Sequence, residues 1–336
     1  MSNWTLTRDP VDANQRAPGG VMNAEAFQAL VDRGFESVSK EKFDVVREME
    51  ALFKFDNVKF SSGKMASFPP MGGGVPMNRD EDDPVYATGA TGFPVQYDTQ
   101  SFRLFLQVPR DAIEDDTGID FVKGRIPEML DMHQETVEAR LADVLTRGDG
   151  EGGAGAPLLA PDGCYLLDEN RPNPDADGGT WGNVEATAAL TGDTVFQAAL
   201  NARLGVSSIG RLFTQTIQSI AIPAEYENVA FTLFSTSKLV GTNYHDESWA
   251  AAKFNMDQVK VLSRLASPII YYWLSDPKSE DNGLRVAKYK DVTSKTWWSG
   301  GRNPDLFYGR IRSRWGIYMK DVRKTVRGGR LSPNGS

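Results

Sequence analysis

Residues 101–147 carry the clearest hydrophobic pattern in the chain, and its period changes part-way along. The first residues, SFRLFLQV, alternate between apolar and polar side chains, with Arg103 and Gln107 on the polar side. This alternation predicts a half-buried strand. The apolar positions of the strand are Phe102, Leu104, Leu106 and Val108.

A helical spacing follows this strand after an acidic corner, PRDAIEDDTG. Apolar residues recur every three or four positions, which predicts a long helix with one buried stripe. The stripe consists of Val122, Ile126, Leu130, His133, Val137, Leu141 and Val144. Thr117 is a candidate N-cap, and Gly148 suits the position that follows the last turn. Pro127 implies either two successive helices or one helix with a kink.

The N-terminal part of the chain has two different characters. Residues 1–22 show no periodicity and are predicted to form an irregular arm. Residues 23–53 have helical spacing with two short apolar stripes, the second of which needs a partner surface. The first stripe is Phe27, Leu30 and Val31, and the second is Phe43, Val46, Met49, Leu52 and Phe53.

Residues 57–100 contain two strand-like segments, VKFSSGKMASF and FPVQYDTQSF, on either side of PPMGGGVP and an acidic run. The acidic run is Asp80, Glu81, Asp82 and Asp83. The segment has few large apolar residues, and an isolated hairpin is at best marginally stable in water. It is therefore predicted to be either a mobile loop or an extended two-stranded loop that is stabilised on another subunit.

Residues 148–184 are rich in Gly, Asp and Pro, which predicts a loop with one short strand at 164–167. A calcium site could be imagined here, but the spacing of its oxygen ligands is not that of an EF-hand. The candidate ligands are Asp168, Asn170, Asp175 and Asp177.

Residues 185–285 predict a second body of α/β type. Helices are expected at residues 194–204 and 223–240, and buried strands in QVKVLSRL and PIIYYWLSD. The predicted buried positions of the two helices are Val195, Ala198, Ala199 and Ala202, then Tyr226, Val229, Ala230, Leu233 and Val240.

The last clear element, DLFYGRIRSRWGIYMKDV, alternates again and predicts a strand with one apolar and one basic face. Its apolar positions are Phe307, Ile311, Trp315, Ile317 and Met319. Its polar positions are Tyr308, Arg310, Arg312, Arg314, Tyr318 and Lys320. Because it has no companion helix of its own, this strand is expected to return beside the strand and helix of residues 101–147.

Charge is unevenly distributed along the chain. The net charge is −8, yet residues 285–330 hold 13 Lys and Arg against three Asp, so the remainder carries −18. Either the two regions are solvated surfaces, or they meet within or between subunits. A content of 40 % hydrophobic residues over 336 residues supports a packed core. The single Cys164 excludes an internal disulfide, and no apolar run is long enough to span a membrane.

Motifs for catalysis are absent from the sequence. It contains no phosphate-binding glycine loop, zinc-protease helix or nucleophile elbow. His133 falls on the apolar stripe and is predicted to be a core residue, and no nucleophile motif accompanies His245 and Asp246. An acid-pair hydrolase would need one of the carboxyls before the long helix to be desolvated. Those carboxyls, Glu114, Asp115 and Asp116, more simply complement the helix N-terminus.

The order of these elements resembles the major capsid protein of tailed bacteriophages, the Hong Kong 97-type shell fold, and is most similar to Mu-like major head subunits. The stretches that carry the resemblance are QSFRLFLQVPRDAIEDDTG, RIPEMLDMHQETVEARL, LTGDTVFQAALNAR, SIAIPAEYENVAFTLFST, IIYYWLSDP and FYGRIRSRWGIYMKDVRKTVRG. It implies an α+β fold of four parts. These are an N-terminal arm (1–56), an extended two-stranded loop (57–100), a peripheral domain with the long spine helix (101–150 with 285–336), and an axial α/β domain (151–284).

The resemblance implies a structural protein without catalytic, cofactor or metal residues. Copies would form the pentamers and hexamers of an icosahedral shell around double-stranded DNA, bound without sequence specificity. Portal, scaffold or decoration proteins are further expected partners, and assembly is expected in the host cytoplasm, with no membrane. The expected inter-subunit contacts are Asp80, Glu81, Asp82, Asp83, Arg310, Arg312, Arg314, Phe43, Val46, Met49 and Phe53. An encapsulin-like compartment with a protein cargo and an acid-pair hydrolase are the alternatives.

Overall fold

The structure of the chain is a computed structural model. It describes residues 47–65, 93–109, 117–150, 158–172, 180–185, 190–204, 217–235, 253–254, 256–265, 270–280, 282–298, 306–322 and 326–331. The described residues form two compact units of mixed α and β structure. Unit 1 includes residues 100–136 and 290–314, and unit 2 includes residues 47–99, 137–289 and 315–336.

The predicted strand and long helix are both present. Strand β4 spans Gln100–Pro109, and its four predicted apolar positions are the more buried ones. Helix α1 spans Thr117–Thr146 without interruption, with Pro127 inside it, so the chain forms one helix here. Leu130, His133, Val137 and Leu141 are buried as the stripe predicts. At the end of the helix, the Gly148 N–H donates to the Leu145 carbonyl (3.1 Å).

Unit 2 is built on a four-stranded sheet in the order β12, β9, β7, β8. The strands are β7 (Ser219–Pro223), β8 (Val259–Leu262), β9 (Ile270–Leu274) and β12 (Val326–Arg330). Strands β7 and β8 are parallel, whereas β9 is antiparallel to both of its neighbours. All residues of β7 and β9 are buried, so this sheet is covered on both sides.

Two short helices cover one side of this sheet, and we call them the helix layer. They are α2 (Gly192–Arg203) and α3 (Glu227–Ser235). Thr191 caps α2 through a reciprocal pair of bonds with Thr194. The core beneath the helix layer contains Leu190, Val195, Ala198, Ile220, Ile222, Ala230, Phe234, Phe254, Val259, Tyr271, Trp273 and Leu331.

The other side of the sheet is covered by the end of α1 and by residues 158–167. We call residues 158–167 the loop layer. Tyr272 points to this side and donates its hydroxyl to the Leu145 carbonyl. A side chain at Gly148 would collide with that hydroxyl, so this turn requires glycine. The Leu167 N–H donates to the Gly148 carbonyl (2.6 Å).

Arg171 fixes the loop layer from within. It is completely buried and forms an ion pair with Asp162 (2.6 Å). Its guanidinium also donates to the Leu166 carbonyl (2.9 Å) and lies 5.4 Å from the centre of the Trp181 ring. A buried arginine needs such partners because an unpaired buried charge costs several kcal/mol. The loop is thus tightly held, although its sequence shows no periodicity.

A second four-stranded sheet has the order β1, β10, β11, β4. Its other members are β1 (Lys54–Asn57), β10 (Leu284–Trp298) and β11 (Leu306–Met319). Within unit 2, β1 runs parallel to the first residues of β10. Beside it, β2 (Ser62–Met65) and β3 (Val95–Asp98) pair in antiparallel fashion, which confirms the two strand-like segments of the predicted loop. A two-residue ladder pairs β5 (Arg171–Pro172) with β6 (Thr180–Trp181).

Several predictions of local structure were wrong. Residues 164–167 form bends, not a strand, because they wrap around Arg171. Residues 50–52 form a 3-10 turn that leads into β1, not the end of a helix. The helix expected from residue 223 starts with a 3-10 turn at Ala224–Tyr226 and becomes α-helical at Glu227, since Pro223 is the last residue of β7. Its Val229 is exposed, and Phe234 is buried instead.

Candidate assembly surfaces

One side of the strands in unit 1 is closed by helix α1. Phe307 and Ile311 of β11 point to this side and are fully buried. His133 of α1 and Ser313 of β11 are joined by a hydrogen bond of 2.7 Å between Nε2 and Oγ. The expected return of this strand beside the spine is therefore confirmed. Its alternate residues point to the opposite side of the strands.

That opposite side is lined by cationic and aromatic residues, and we call it the basic sheet face. The Trp297 ring of β10 stacks on Tyr308 of β11, with centroids 5.7 Å apart and an interplanar angle of 20°. The Arg310 guanidinium lies 5.7 Å from the Trp297 ring centre. Arg312 Nε donates to Ser101 Oγ of β4 (3.3 Å), which brings the third strand into the same face. Such cation–π contacts contribute about 0.5–1 kcal/mol at exposed sites.

The basic sheet face is strongly positive. Alternation along the three strands places its charged residues on one side. Its cations are Arg103, Lys295, Arg310, Arg312 and Arg314, and the acid of β10 that shares their side is Asp291. Arg103 and Lys295 are exposed, whereas the three arginines of β11 are half-buried. Phe105 adds an apolar side chain that is 56 % exposed.

The predicted basic face of the last strand is confirmed only for its first half. Arg310, Arg312 and Arg314 lie together as expected, but Tyr318 is buried. Its hydroxyl donates to Asp56 (2.6 Å), and its ring lies 5.8 Å from that of Tyr97 in β3. Burial and the bond to Asp56 raise the pKa of Tyr318 well above its ordinary value, so it stays a neutral donor. The base of the two-stranded loop packs over this half of β11.

A buried carboxylate holds the start of the described chain against the spine helix. Glu138 of α1 is 3 % exposed. Its two oxygens accept the backbone N–H groups of Met49 (3.0 Å) and Glu50 (3.1 Å). Burial, together with the neighbouring Glu138, raises the pKa of Glu50. Met49 and Phe53, two of the predicted contact residues, are buried here within the subunit.

The remaining predicted contact residues lie outside the described residues. They are Phe43, Val46, Asp80, Glu81, Asp82 and Asp83. Arg103, Lys295 and Trp297 were not among the predicted site residues. Arg103 could have been included, because it alternates with the apolar residues of β4. The sequence of β10 does not alternate between apolar and polar residues in a way that predicts its faces. Its first four residues are all buried, and they include both apolar and charged side chains.

His133 is a core residue, as predicted, and it should make stability depend on pH. Burial lowers its pKa from the ordinary 6.5. Below pH 6.5 the unfolded chain therefore binds a proton that the folded chain does not. The free energy of unfolding then decreases as the pH is lowered, by up to about 1.4 kcal/mol per pH unit. We expect His133→Gln to flatten the urea-unfolding free energy between pH 6.5 and 5.5. Ser313→Ala, which keeps the histidine buried, should retain the slope, and an unchanged slope in His133→Gln would contradict this assignment.

Catalytic candidates gain no support from the described residues. Glu114, Asp115, Asp116, His245 and Asp246 lie outside them. Among the residues that the structure describes, no cluster of His, Cys, Asp and Glu could hold a metal ion. Burial and the carboxylates of Asp162 and Asp168 raise the pKa of Cys164, which disfavours a reactive thiolate. No helix in the described part of the chain is long and apolar enough to cross a membrane.

Comparison with known proteins finds likeness in structure and not in sequence. No family model matches the chain, and no curated protein matches its sequence. The capsid structure of Helicobacter pylori bacteriophage KHP30 is similar with a TM-score of 0.49 and 13 % identity, over 85 % of this chain and 91 % of that chain. The capsid of the native GTA particle has a TM-score of 0.49 and 13 % identity, over 86 % and 92 %.

A procapsid of bacteriophage JBD30 also has a TM-score of 0.49, with 12 % identity over 93 % of this chain and 77 % of that chain. These TM-scores are below 0.5 and the identities are at most 13 %, so the likeness alone assigns no function to this chain.

Proposed function

We propose that this protein is the major capsid subunit of a tailed bacteriophage and assembles with copies of itself into a closed icosahedral shell. The observation that carries the proposal is the basic sheet face of unit 1, whose strands pack on helix α1 with their other side and whose Arg103 and Lys295 are exposed. The same chain carries the acidic run 80–83 between β2 and β3. A chain that carries a strongly basic face and a separate acidic segment is suited to pairing with its own copies.

The geometry of the two-stranded loop supports the same function. Most side chains of β2 are exposed, including Lys64 and Met65, whereas β3 packs on the subunit through Val95 and Tyr97, next to Tyr318. Two strands alone are marginally stable in water. In a shell, the acidic run of one copy would lie on the basic sheet face of the next, so that assembly and stability are coupled.

The finer features of the proposal follow from the resemblance of the sequence to Mu-like head subunits. Copies would form pentamers and hexamers, with residues 151–284 as the axial domain and residues 101–150 and 285–336 as the peripheral domain. The shell would enclose double-stranded DNA in the virion and contact it without reading its sequence. Portal, scaffold or decoration proteins would join a shell that is assembled in the host cytoplasm.

Limited proteolysis tests the coupling between the loop and assembly. Trypsin should cut free subunits at Lys59 and Lys64, which are exposed at the base of the loop. In assembled particles, the same bonds should be protected at least about ten-fold, because a stabilised segment opens less often. Arg140, an exposed residue within helix α1, is the control, since helical backbone should resist cleavage in both states. Equal cleavage rates at the two lysines in subunits and particles would contradict the proposal.

A further inference from the structure

The helix layer of unit 2 presents apolar side chains on its outer side. The inner side of α2 is buried through Val195, Ala198, Ala199 and Ala202. On the outer side of the same helix, Leu200 is 37 % exposed and Leu204, which follows it by one turn, is 56 % exposed. Phe231 of α3 is 57 % exposed. Arg203 is exposed beside the two leucines.

The loop layer presents a second apolar surface on the opposite side of the same sheet. Leu159 is 49 % exposed and Tyr165 is 37 % exposed. Leu166 and Leu167, next in the chain, are buried towards the sheet. Glu169 is an exposed acid on the same loop. The loop is a rigid platform, because Arg171 ties the Leu166 carbonyl and Asp162 together from beneath.

We propose that the helix layer of one copy packs against the loop layer of the next copy, head to tail. This inference rests on the proposed function and names the surfaces that would join neighbouring subunits in a ring. Two different apolar surfaces on opposite sides of one unit fit a heterologous contact, which repeats from copy to copy and forms a ring when the rotation between copies closes. The charges agree with this orientation, since Arg203 on the helix layer would face the exposed Glu169, which lies two residues beyond the loop layer in the chain.

A two-fold pairing of α2 with itself is the main competing arrangement. Asp193 and Arg203, both exposed near opposite ends of α2, would also match in such an antiparallel pair. That contact uses one surface twice and ends at two copies. It would leave Leu159 and Tyr165 exposed, so the head-to-tail arrangement covers more of the apolar surface that the structure shows.

The chain offers a direct test because Cys164 is its single cysteine and is partly exposed on the loop layer. A second cysteine is introduced by Leu200→Cys, and particles are treated with a short bis-maleimide. Head-to-tail packing predicts a ladder of linked chains, up to five or six, on a denaturing gel. The ladder should need both cysteines, so wild type and Leu200→Cys with Cys164→Ser should stay monomeric. Leu204→Cys provides a second position on the same side.

Each other outcome has a defined meaning. Dimers from Leu200→Cys with Cys164→Ser would establish the two-fold pairing and overturn the proposal. Intact particles in which Cys164 reacts with a mono-maleimide, but in which neither introduced cysteine gives linked chains, would overturn it while leaving the proposed function standing. Failure of the wild-type chain to form particles would instead count against the proposed function.

A substitution series gives an independent readout. Leu200→Lys with Leu204→Lys should lower the assembled fraction at least about ten-fold, since each leucine loses apolar burial in the contact. The circular dichroism of the free subunit should not change, because both side chains are exposed there. Met132→Lys, which alters an exposed apolar residue of α1, is the matched control. Normal assembly of the double variant would contradict the proposal.

Discussion

Deletion of residues 1–46 is expected to give a subunit that folds but does not close into shells, whereas deletion of residues 1–50 should destabilise the subunit itself. The difference comes from Glu138. The shorter deletion keeps Met49 and the two N–H groups that satisfy the buried carboxylate. The longer one removes them and leaves a buried charge without those donors, at a cost of about 4 kcal/mol or more.

Urea unfolding and sedimentation separate the two effects. The 1–46 deletion should keep a cooperative transition near that of the full chain and sediment as free subunits. Its loss of assembly would follow from losing the apolar stripe that includes Phe43 and Val46. In the longer deletion, Glu138→Leu should recover part of the lost stability, because it removes the stranded charge. If the 1–46 deletion still sediments as intact particles, the arm is dispensable and this part of the account is wrong.

Reversal of two charges on the basic sheet face is expected to prevent assembly, and reversal of two acids in the loop is expected to restore it. If the proposed contact forms, Arg312→Glu with Arg314→Glu would place two negative charges opposite the run 80–83. One exposed pair contributes only about 0–1 kcal/mol. The proposed contact would be repeated in every subunit of a shell, however, and like charges would also disfavour the correct register. The double variant should therefore remain as folded subunits.

The rescue makes this test specific. Asp82→Lys with Asp83→Lys, added to the double variant, should return particles to the sedimentation profile. A control that reverses exposed Arg140 and Lys278 changes net charge equally and should assemble normally. If the arginine reversals assemble normally and alter only DNA retention, the basic sheet face points inward to DNA and does not bind the loop of a neighbour.

The strands and helix that were predicted correctly are those with an uninterrupted period. In β4, Phe102, Leu104, Leu106 and Val108 alternate because one side of the strand faces α1 and the other faces solvent. The buried side of α2 could be predicted for the same reason, since its small residues recur at helical spacing over one core. When one side of an element faces the core and the other faces solvent along its whole length, the spacing of apolar residues predicts which side chains are buried.

Strands whose surroundings come from distant residues could not be predicted. In β1 and β10, Asp56 and Arg285 form an ion pair (2.8 Å) that offsets the cost of burying both charges. In β12, Gly328 and Gly329 are poor strand formers. They lie there because a side chain at either position would collide with the Tyr271 or Glu185 carbonyl. Such strands depend on partners more than 50 residues away in the chain.

The basic sheet face was predicted only in part for a related reason. Alternation alone places Arg310, Arg312 and Arg314 on one side of β11. It does not reveal that β10 and β4 lie beside that strand with Trp297, Lys295 and Arg103, nor that β3 covers the side near Tyr318. The order of strands in a sheet depends on packing across the whole chain. It therefore cannot be predicted from the sequence of one strand.

Sedimentation of the purified 336-residue chain, with negative-stain microscopy of the fast fraction, tests the central claim most directly. We predict closed, uniformly sized polyhedral particles built from this chain alone or after addition of a scaffold protein. The particles should dissociate into folded subunits on mild denaturation, with trypsin sites at Lys59 and Lys64 becoming open. A natively folded chain that stays monomeric across protein concentration, salt and scaffold addition would contradict the account.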